Sequence, residues 1–437
     1  MSERQTVFVV GLDDFNRRKL QSIRGAEHLD FVGLLANEDV EHRTDLDIDA
    51  ILDKARAQLR RHDGAIDGLV NYIDFPGNSM AAILAEEFGF RGPSLRSVLT
   101  CEHKYWSRRE QQAVAPDAVP AFRVVDPFDD RSVAAIDLPR PFWLKPIKGF
   151  GSWLGFRIGD DGDLDRAIEQ IRRDIHQLGR PFDRLMDRIE PPEAITGIGG
   201  HHCIAEALVG GRQCTVEGHV FGGEIGIHGI IDSIRARNRS SFRRYEYPSR
   251  WPREMQERAM AISRDLVRRI GLDDCGFNIE FFWDEERDVL RLLEINPRIS
   301  QSHCDLFEKV DGASSHQILV EISLGRRPSL PHRQGRHGAA GKFFIRAFAT
   351  EGRVTHAPDD EAIARLRQRF PDAELRVRME AGDGLADQPF QDSYTTVLAI
   401  LFLGAENHDA LLDAYDEALS ILTFEVSGPD GAPVEVK

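Results

Sequence analysis

Short apolar runs alternate with amphipathic stretches at the start of the chain. TVFVVGLDD (6–14) predicts a buried strand entering a Gly turn, and LDFVGLLA (29–36) and IDGLVNYID (66–74) repeat the theme. Residues 49–61 carry a helical pattern, and NSMAAILAEEFG (78–89) predicts a helix closed by Gly89. Strands alternating with helices imply a parallel sheet covered on both faces. Pro93 marks a plausible exit from this small α/β domain.

Beyond it, TCEHKYWSRREQQ predicts a helix with Thr100 as its cap, followed by a Pro-punctuated loop and short strand. RPFWLKPIKGFGSWLGFRI (140–158) predicts a hairpin with a Gly-rich tip, and LDRAIEQIRRDIHQLG one amphipathic helix. CIAEALVGGRQCTVEGHVFGGEIGIHGIIDS predicts a meander of strands, and PREMQERAMAISRDLVRRIGL a long helix ending near Gly271. LGRRPSLPHRQGRHG reads as a linker. The remaining hundred or so residues alternate strand and helix again.

Two further strand-like runs, FNIEFFW and VLRLLEIN, flank DEERD (284–288). Folded as a hairpin centred on residue 287, they place Glu280 opposite Glu294. Directly opposed side chains have Cβ atoms about 5 Å apart. Two carboxylates that close, among Phe281, Phe282, Leu292 and Leu293, require a shared proton or a cation between them. Strand period two puts Asn296 on the face of Glu294. Three converging oxygen ligands, with room for water and phosphate oxygens, describe a Mg²⁺ site. The competing reading is a hairpin whose glutamates face solvent, and a one-residue slip of register would produce it.

Composition narrows the function classes. The 437 residues suit about three domains. A formal net charge of −16 argues against a nucleic-acid-binding surface. The five cysteines include no CxxC pair, which fits reduced thiols and a cytoplasmic location. The N-terminal apolar run is too short for a signal peptide, and TTVLAILFLGA (395–405) is about half a membrane span, so neither predicts membrane association.

WLKPIKGFGSWLG brings Lys145 and Lys148 together with Gly149, Gly151, Ser152 and Gly155. Glycines let backbone N–H groups approach a polyphosphate. The pattern is neither a P-loop nor a dinucleotide fingerprint, so alone it describes a flexible hairpin equally well. Lys104 by itself reads as a solvated helix lysine, and Glu206, Gln213 and Glu217 as surface residues of a meander.

Taken in order, Lys104, LKPIKGFGS, IAEALVGG, FNIEFFW and LLEINPR resemble the ATP-grasp superfamily, on its carboxylate–amine, L-amino-acid-ligase-like side. The resemblance spans roughly residues 98–325. It implies an α/β protein with a Rossmann-like domain at 1–97, an ATP-grasp domain at 98–327 with a lid near 140–205, and a C-terminal α+β domain at 328–437. It implies ATP and Mg²⁺ (or Mn²⁺) as cofactors, and small carboxylate and amine substrates, amino acids or small peptides among them. A homodimer is the default expectation. By resemblance, Lys104 and Lys145 contact nucleotide phosphates, and Gly149, Gly151 and Ser152 form the lid loop. Glu206, Ala207 and Leu208 form the adenine hinge. Glu280, Glu294 and Asn296 hold the metal, and Arg298 and Lys145 serve the chemistry. The family often has a carboxylate near position 213; here Gln213 stands there, with Glu217 as the other ribose candidate.

Ser300, Gln301, Ser302, His303, His228 and Asp232 are further substrate candidates, each more commonly structural than ligating. The basic run SIRARNRSSFRRY (233–245) is a better candidate for an anionic substrate. Three other readings compete. A biotin-carboxylase-like subunit would carry a longer glycine run than KGFGSWLG. A regulatory module without chemistry would lack a metal ligand or phosphate lysine. An NAD-dependent oxidoreductase would need more glycines than VVGLDD supplies.

Overall fold

The computed structural model describes residues 4–40, 46–151, 153–237, 241–388 and 394–437. Ser152 and positions 238–240 of the basic run lie outside them. The chain forms two compact units: 1–229, 251–301 and 316–329 make the first, and 230–250, 302–315 and 330–437 the second.

The first unit opens with a parallel sheet in the order β2 (Leu29–Leu34), β1 (Gln5–Val10), β3 (Gly68–Val70). The Ile48–Arg61 helix starts where the Asp47 side chain accepts the Ala50 N–H. The Gly77–Phe88 helix ends on Gly89 in the left-handed conformation, as its sequence predicts. A second sheet runs β4 (Phe122–Val125), β7 (Cys203–Ala207), β5 (Phe142–Pro146), β6 (Phe156–Ile158). Its core of Val125, Phe142, Leu144 and Ala205 is closed by Ile168 and Ile171 of the Asp161–Asp174 helix. The third sheet contains β8 (Arg212–Phe221), β11 (Cys275–Asp284) and β12 (Val289–Asn296).

Strand β9 (Glu224–Arg235) begins in the first unit and ends in the second. In the second unit its end pairs with β10 (Phe242–Tyr247), which pairs with β13 (Ala339–Ala347). The apolar 395–405 segment is here as the strand Thr396–Ala405, paired with both β13 and Glu374–Val377. Among the described residues no helix is long and apolar enough to cross a membrane, and all five cysteines are free and buried.

Three local expectations change. Thr100 caps no helix: Ser94 caps Leu95–Glu102, and the Thr100 hydroxyl donates to the Arg96 carbonyl at 2.8 Å. His103 then caps a separate helix, Lys104–Val114, by accepting the Trp106 N–H. The 164–179 pattern divides into two helices, Asp161–Asp174 and His176–Met186. In the meander, β7 leaves its sequence neighbour β8 and pairs with β4 and β5. Period-two alternation fixes which face a side chain takes, but it carries no information about which strand lies alongside.

Candidate active site

The hairpin of β11 and β12 has the expected register where it matters. Glu280 opposes Glu294, Ile279 opposes Ile295 and Asn278 opposes Asn296. Beyond Glu280 the register shifts, so that Phe281 opposes Leu292 rather than Leu293. The extra residue turns Leu292 onto the apolar side, where it is fully buried. On β8, Gln213 faces Phe282, Thr215 faces Glu280 and Glu217 faces Asn278. One face of this sheet is therefore a polar field of Gln213, Thr215, Glu217, Asn278, Glu280, Glu294 and Asn296. The other carries Cys214, Val216, Phe277, Ile279 and Phe281, all buried. Gly218 permits this packing, because a Cβ there would lie 2.3 Å from the Phe277 ring.

Hydrogen bonds orient the polar field. Gln213 Nε2 donates to Glu280 Oε2 at 2.7 Å. Asn296 Nδ2 donates to Asn278 Oδ1 at 3.0 Å, which leaves the Asn296 carbonyl oxygen to ligate. Asn278 Nδ2 in turn donates to the Arg298 carbonyl at 2.9 Å, fixing the loop that follows β12. Arg298 Nη2 donates to Asp74 Oδ2 at 2.6 Å. Burial works against ionisation of Asp74, but the charges of Arg298 and Lys148 outweigh it and hold the carboxyl well below the usual range. Glu217 shows the opposite outcome: burial raises it well above the ordinary value despite Arg298 and the Ser300 backbone.

Three lysines converge: Lys145 from strand β5, Lys148 from the loop after it and Lys104 from the Lys104–Val114 helix. Lys148 is buried 3.3 Å from Glu102 and 3.9 Å from Asp74, with its ammonium 4.5 Å from the Phe75 ring centre. Lys104 Nζ donates to the Gly149 carbonyl at 2.6 Å, and Gly151 turns the loop tip at φ +58°. Lys145 Nζ lies 2.6 Å from Glu206 Oε2. Arg108 also binds the Glu206 carboxylate and donates to the Leu292 carbonyl at 2.9 Å. At the end of β7, Ala207 donates its N–H to Ala121, and Leu208 is 43% exposed.

Glu206 therefore neutralises two cations. Burial disfavours its ionised form, but Arg108 and Lys145 reverse this and bring it down to about 2 from an ordinary 4.5. A depressed carboxylate stabilises the fold fully above the unfolded value and loses that contribution as pH falls toward about 2. Glu206→Gln is expected to cost about 3–5 kcal/mol in urea unfolding, because Arg108 and Lys145 keep their charges in a buried place. A loss under about 1 kcal/mol would mean that both cations escape to solvent.

Comparison with known proteins identifies one domain. Residues 138–305 match the family model of the ATP-grasp domain. This chain carries an ATP-grasp domain. Its fold resembles an L-amino acid ligase from Bacillus licheniformis, with TM-score 0.71 and 14% identity over 97% of this chain and 99% of the other. It also resembles a carboxyaminoimidazole ribonucleotide synthase from Aspergillus clavatus complexed with ATP, with TM-score 0.66 and 15% identity over 96% and 99% of the two chains. An uncharacterized protein, y4rH, of Sinorhizobium fredii is 25% identical over 268 residues, 59% of this chain and 49% of that protein. The chain thus spans about half the length of that curated relative.

The donor set of the ATP-grasp domain fits a divalent ion brought in by a nucleotide. Among the described residues no group of three or more His, Cys, Asp or Glu side chains is arranged to hold a metal. Glu280 and Glu294 supply two carboxylates and Asn296 an amide oxygen, the sparse hard-oxygen set of a Mg²⁺ that completes its shell with phosphate and water.

Asp74, Glu102 and Arg108 escaped the sequence reading. Arg108 follows Lys104 by four residues, so both share one helix face. Asp74 follows the carboxyl end of a parallel strand, where open α/β sheets bind ligands. Both signals were present. Glu102 offered none, because its partner Lys148 is 46 residues away. The other candidates have structural engagements. Gln301 accepts from Asn16 at 3.0 Å, Ser302 accepts from Lys342 at 2.7 Å, and Asp232 accepts from Ser249 and Arg250. The His228 ring lies 6.0 Å from that of His219.

Proposed function

We propose that the protein is an ATP-dependent carboxylate–amine ligase acting on small molecules, amino acids or small peptides among them. The observation that carries this reading is the opposition of Glu280 and Glu294 across β11 and β12, with Asn296 on the same face. A carboxylate oxygen of the substrate attacks the γ-phosphorus of ATP, the bond to the β-bridging oxygen breaks, and ADP leaves. An amine nitrogen then attacks the acyl carbon, the C–O bond to phosphate breaks, and the nitrogen sheds its proton to solvent.

Glu280, Glu294 and Asn296 would hold Mg²⁺, which when bound neutralises phosphate charge. Lys104 and Lys145 are the cations for the nucleotide phosphates, with Gly149 and Gly151 in the loop above them. The backbone of 206–208 is the adenine hinge, since the Glu206 carboxylate is engaged by Lys145 and Arg108. Arg298 faces the transferring group, steadied by Asp74. For these side chains the work is alignment and charge neutralisation.

The decisive experiment screens acid–amine pairs for stimulated ADP release with Mg²⁺ and identifies the product by mass. An amide product with stoichiometric ADP supports the reading. ADP release that needs bicarbonate and yields a carboxylated product would instead favour a carboxylase, and no stimulation by any pair would end the ligase proposal.

Lys104 gives this reading a pH signature. Burial lowers it to about 8, with Lys145 and Lys148 adding to the shift and Glu294 opposing it. It is charged below that pH and neutral above. Calorimetric ATP affinity is expected to fall several-fold from pH 7 to pH 9, and Lys104→Ala to bind weakly with a flat profile. Identical profiles in both proteins would remove Lys104 from the phosphate contacts.

A further inference from the structure

The sheet of the second unit has two unlike faces. Phe343, Ile345, Leu401 and Leu403 share one core with Leu411 and Tyr415 of the His408–Ile421 helix. Alternate residues turn the other way. There Tyr245 of β10 opposes Lys342 of β13, Lys342 opposes Phe402 of the Thr396–Ala405 strand, and Phe402 opposes Glu374. Phe344 and Arg376 lie one step along on the same face, both opposite Ile400. A lysine thus stands in the middle of a mostly aromatic row.

Lys342 is 7% exposed, and among the described residues it makes no ion pair. Its Nζ donates to Ser302 Oγ at 2.7 Å and lies 4.6 Å from the Phe344 ring centre, 5.7 Å from Phe402 and 5.8 Å from Tyr245. An ammonium has three N–H donors, and among the described residues only Ser302 accepts one. Glu374, the carboxylate on the row, is two strands away, about 10 Å. The other charged groups near Lys342 are cations. Burial lowers it to about 7, with Arg376, Arg378 and Arg346 adding to the shift and Cys304 opposing it. Arg346 is committed to the Phe242 carbonyl at 2.7 Å and the Thr395 hydroxyl at 2.9 Å, and the His303 ring packs 4.9 Å from that of Tyr245. A buried cation without an anion is costly. Ser302 and Tyr245, its immediate neighbours, are only half-buried, so the position is not sealed into the apolar core.

We infer that Lys342 is the centre of an oxyanion site: Nζ, held by Ser302, binds an oxygen of a carboxylate or phosphate on a small molecule, and Arg376 and Arg378 attract that group. The rings of Tyr245, Phe344 and Phe402 keep water from the ion pair, which strengthens it. The site lies wholly in the second unit and does not rest on the ligase reading. A neutral lysine bonded to Ser302 is the competing arrangement, and it predicts no response to anions.

The test counts protons as well as anions. Titration calorimetry of the full chain at low salt uses sulfate and succinate, with Mg²⁺ and a non-hydrolysable ATP analogue present so that Lys104 and Lys145 are not the groups being titrated. Wild type should bind one of the two, sulfate standing for a phosphate ester as the ligand and succinate for a carboxylic acid. At pH 8 Lys342 is mostly neutral and both anions are fully ionised. Binding should therefore draw up to about one proton from the buffer, seen as a heat that changes with the buffer's ionisation enthalpy. Lys342→Met should weaken binding at least about tenfold. Lys342→Arg stays charged at pH 8 and should bind without proton uptake, which keeps the inference testable if the methionine variant folds poorly. The inference is overturned if neither anion binds wild type, if binding draws no proton, if Lys342→Met binds as wild type does, or if Lys342→Arg draws as many protons as wild type. ADP release is not read, so the result stands apart from the ligase proposal.

Discussion

Glu294→Gln should abolish ATP-dependent ADP release, by about 10²–10³-fold, without lowering the melting temperature. The substitution preserves volume and removes one charge from a pair of carboxylates opposed across β11 and β12. Among the described residues Glu294 makes no ion pair of its own; its charge acts on Lys104 and Arg298. The fold therefore does not depend on that charge, and removing it relieves repulsion with Glu280. The proposed chemistry does depend on it, because an amide binds Mg²⁺ far more weakly than a carboxylate does. Calorimetry and a coupled ADP assay across a Mg²⁺ titration check both halves. Near-normal ADP release would detach this pair from any metal role, and a large fall in melting temperature would make the pair structural.

Arg298→Lys is expected to lower kcat by about 10³-fold while KM for ATP stays within a few-fold. Lysine keeps the charge and loses the planar fork. Here the fork is used in two directions: Nη2 to Asp74 and Nη1 to the Ile299 carbonyl. One ammonium does not reproduce this planar, two-way geometry. Steady-state kinetics separates the outcomes. A rise in KM for ATP with kcat unchanged would move Arg298 from the reacting group to nucleotide binding. Full activity in the lysine variant would remove it from both.

Much of the site could be read from residue order. Hairpin opposition follows from period two and the length of the connecting turn, so Glu280, Glu294 and Asn296 were legible as one face. The glycine-flanked lysines and Arg298 drew attention only through the resemblance carried by the ordered motifs, because each alone reads as an ordinary surface group. The bulge after Glu280 was not legible, because Leu292 and Leu293 are both apolar and either could turn inward. Strand β7 was misplaced for a similar reason: its pattern fits any sheet with an apolar face, and only long-range packing selects β4 and β5.

The chain by itself determined the alternation of elements, the carboxylate face of the hairpin and the supply of cations ahead of it, because these depend on local periodicity and short connections. Tertiary structure alone decided the pairings across long stretches of chain. It brought Asp74 to Arg298, Glu102 to Lys148, and Arg108 and Lys145 to one glutamate. A buried charge must find its counter-ion in three dimensions, and nothing in the residues beside it says which distant segment supplies one.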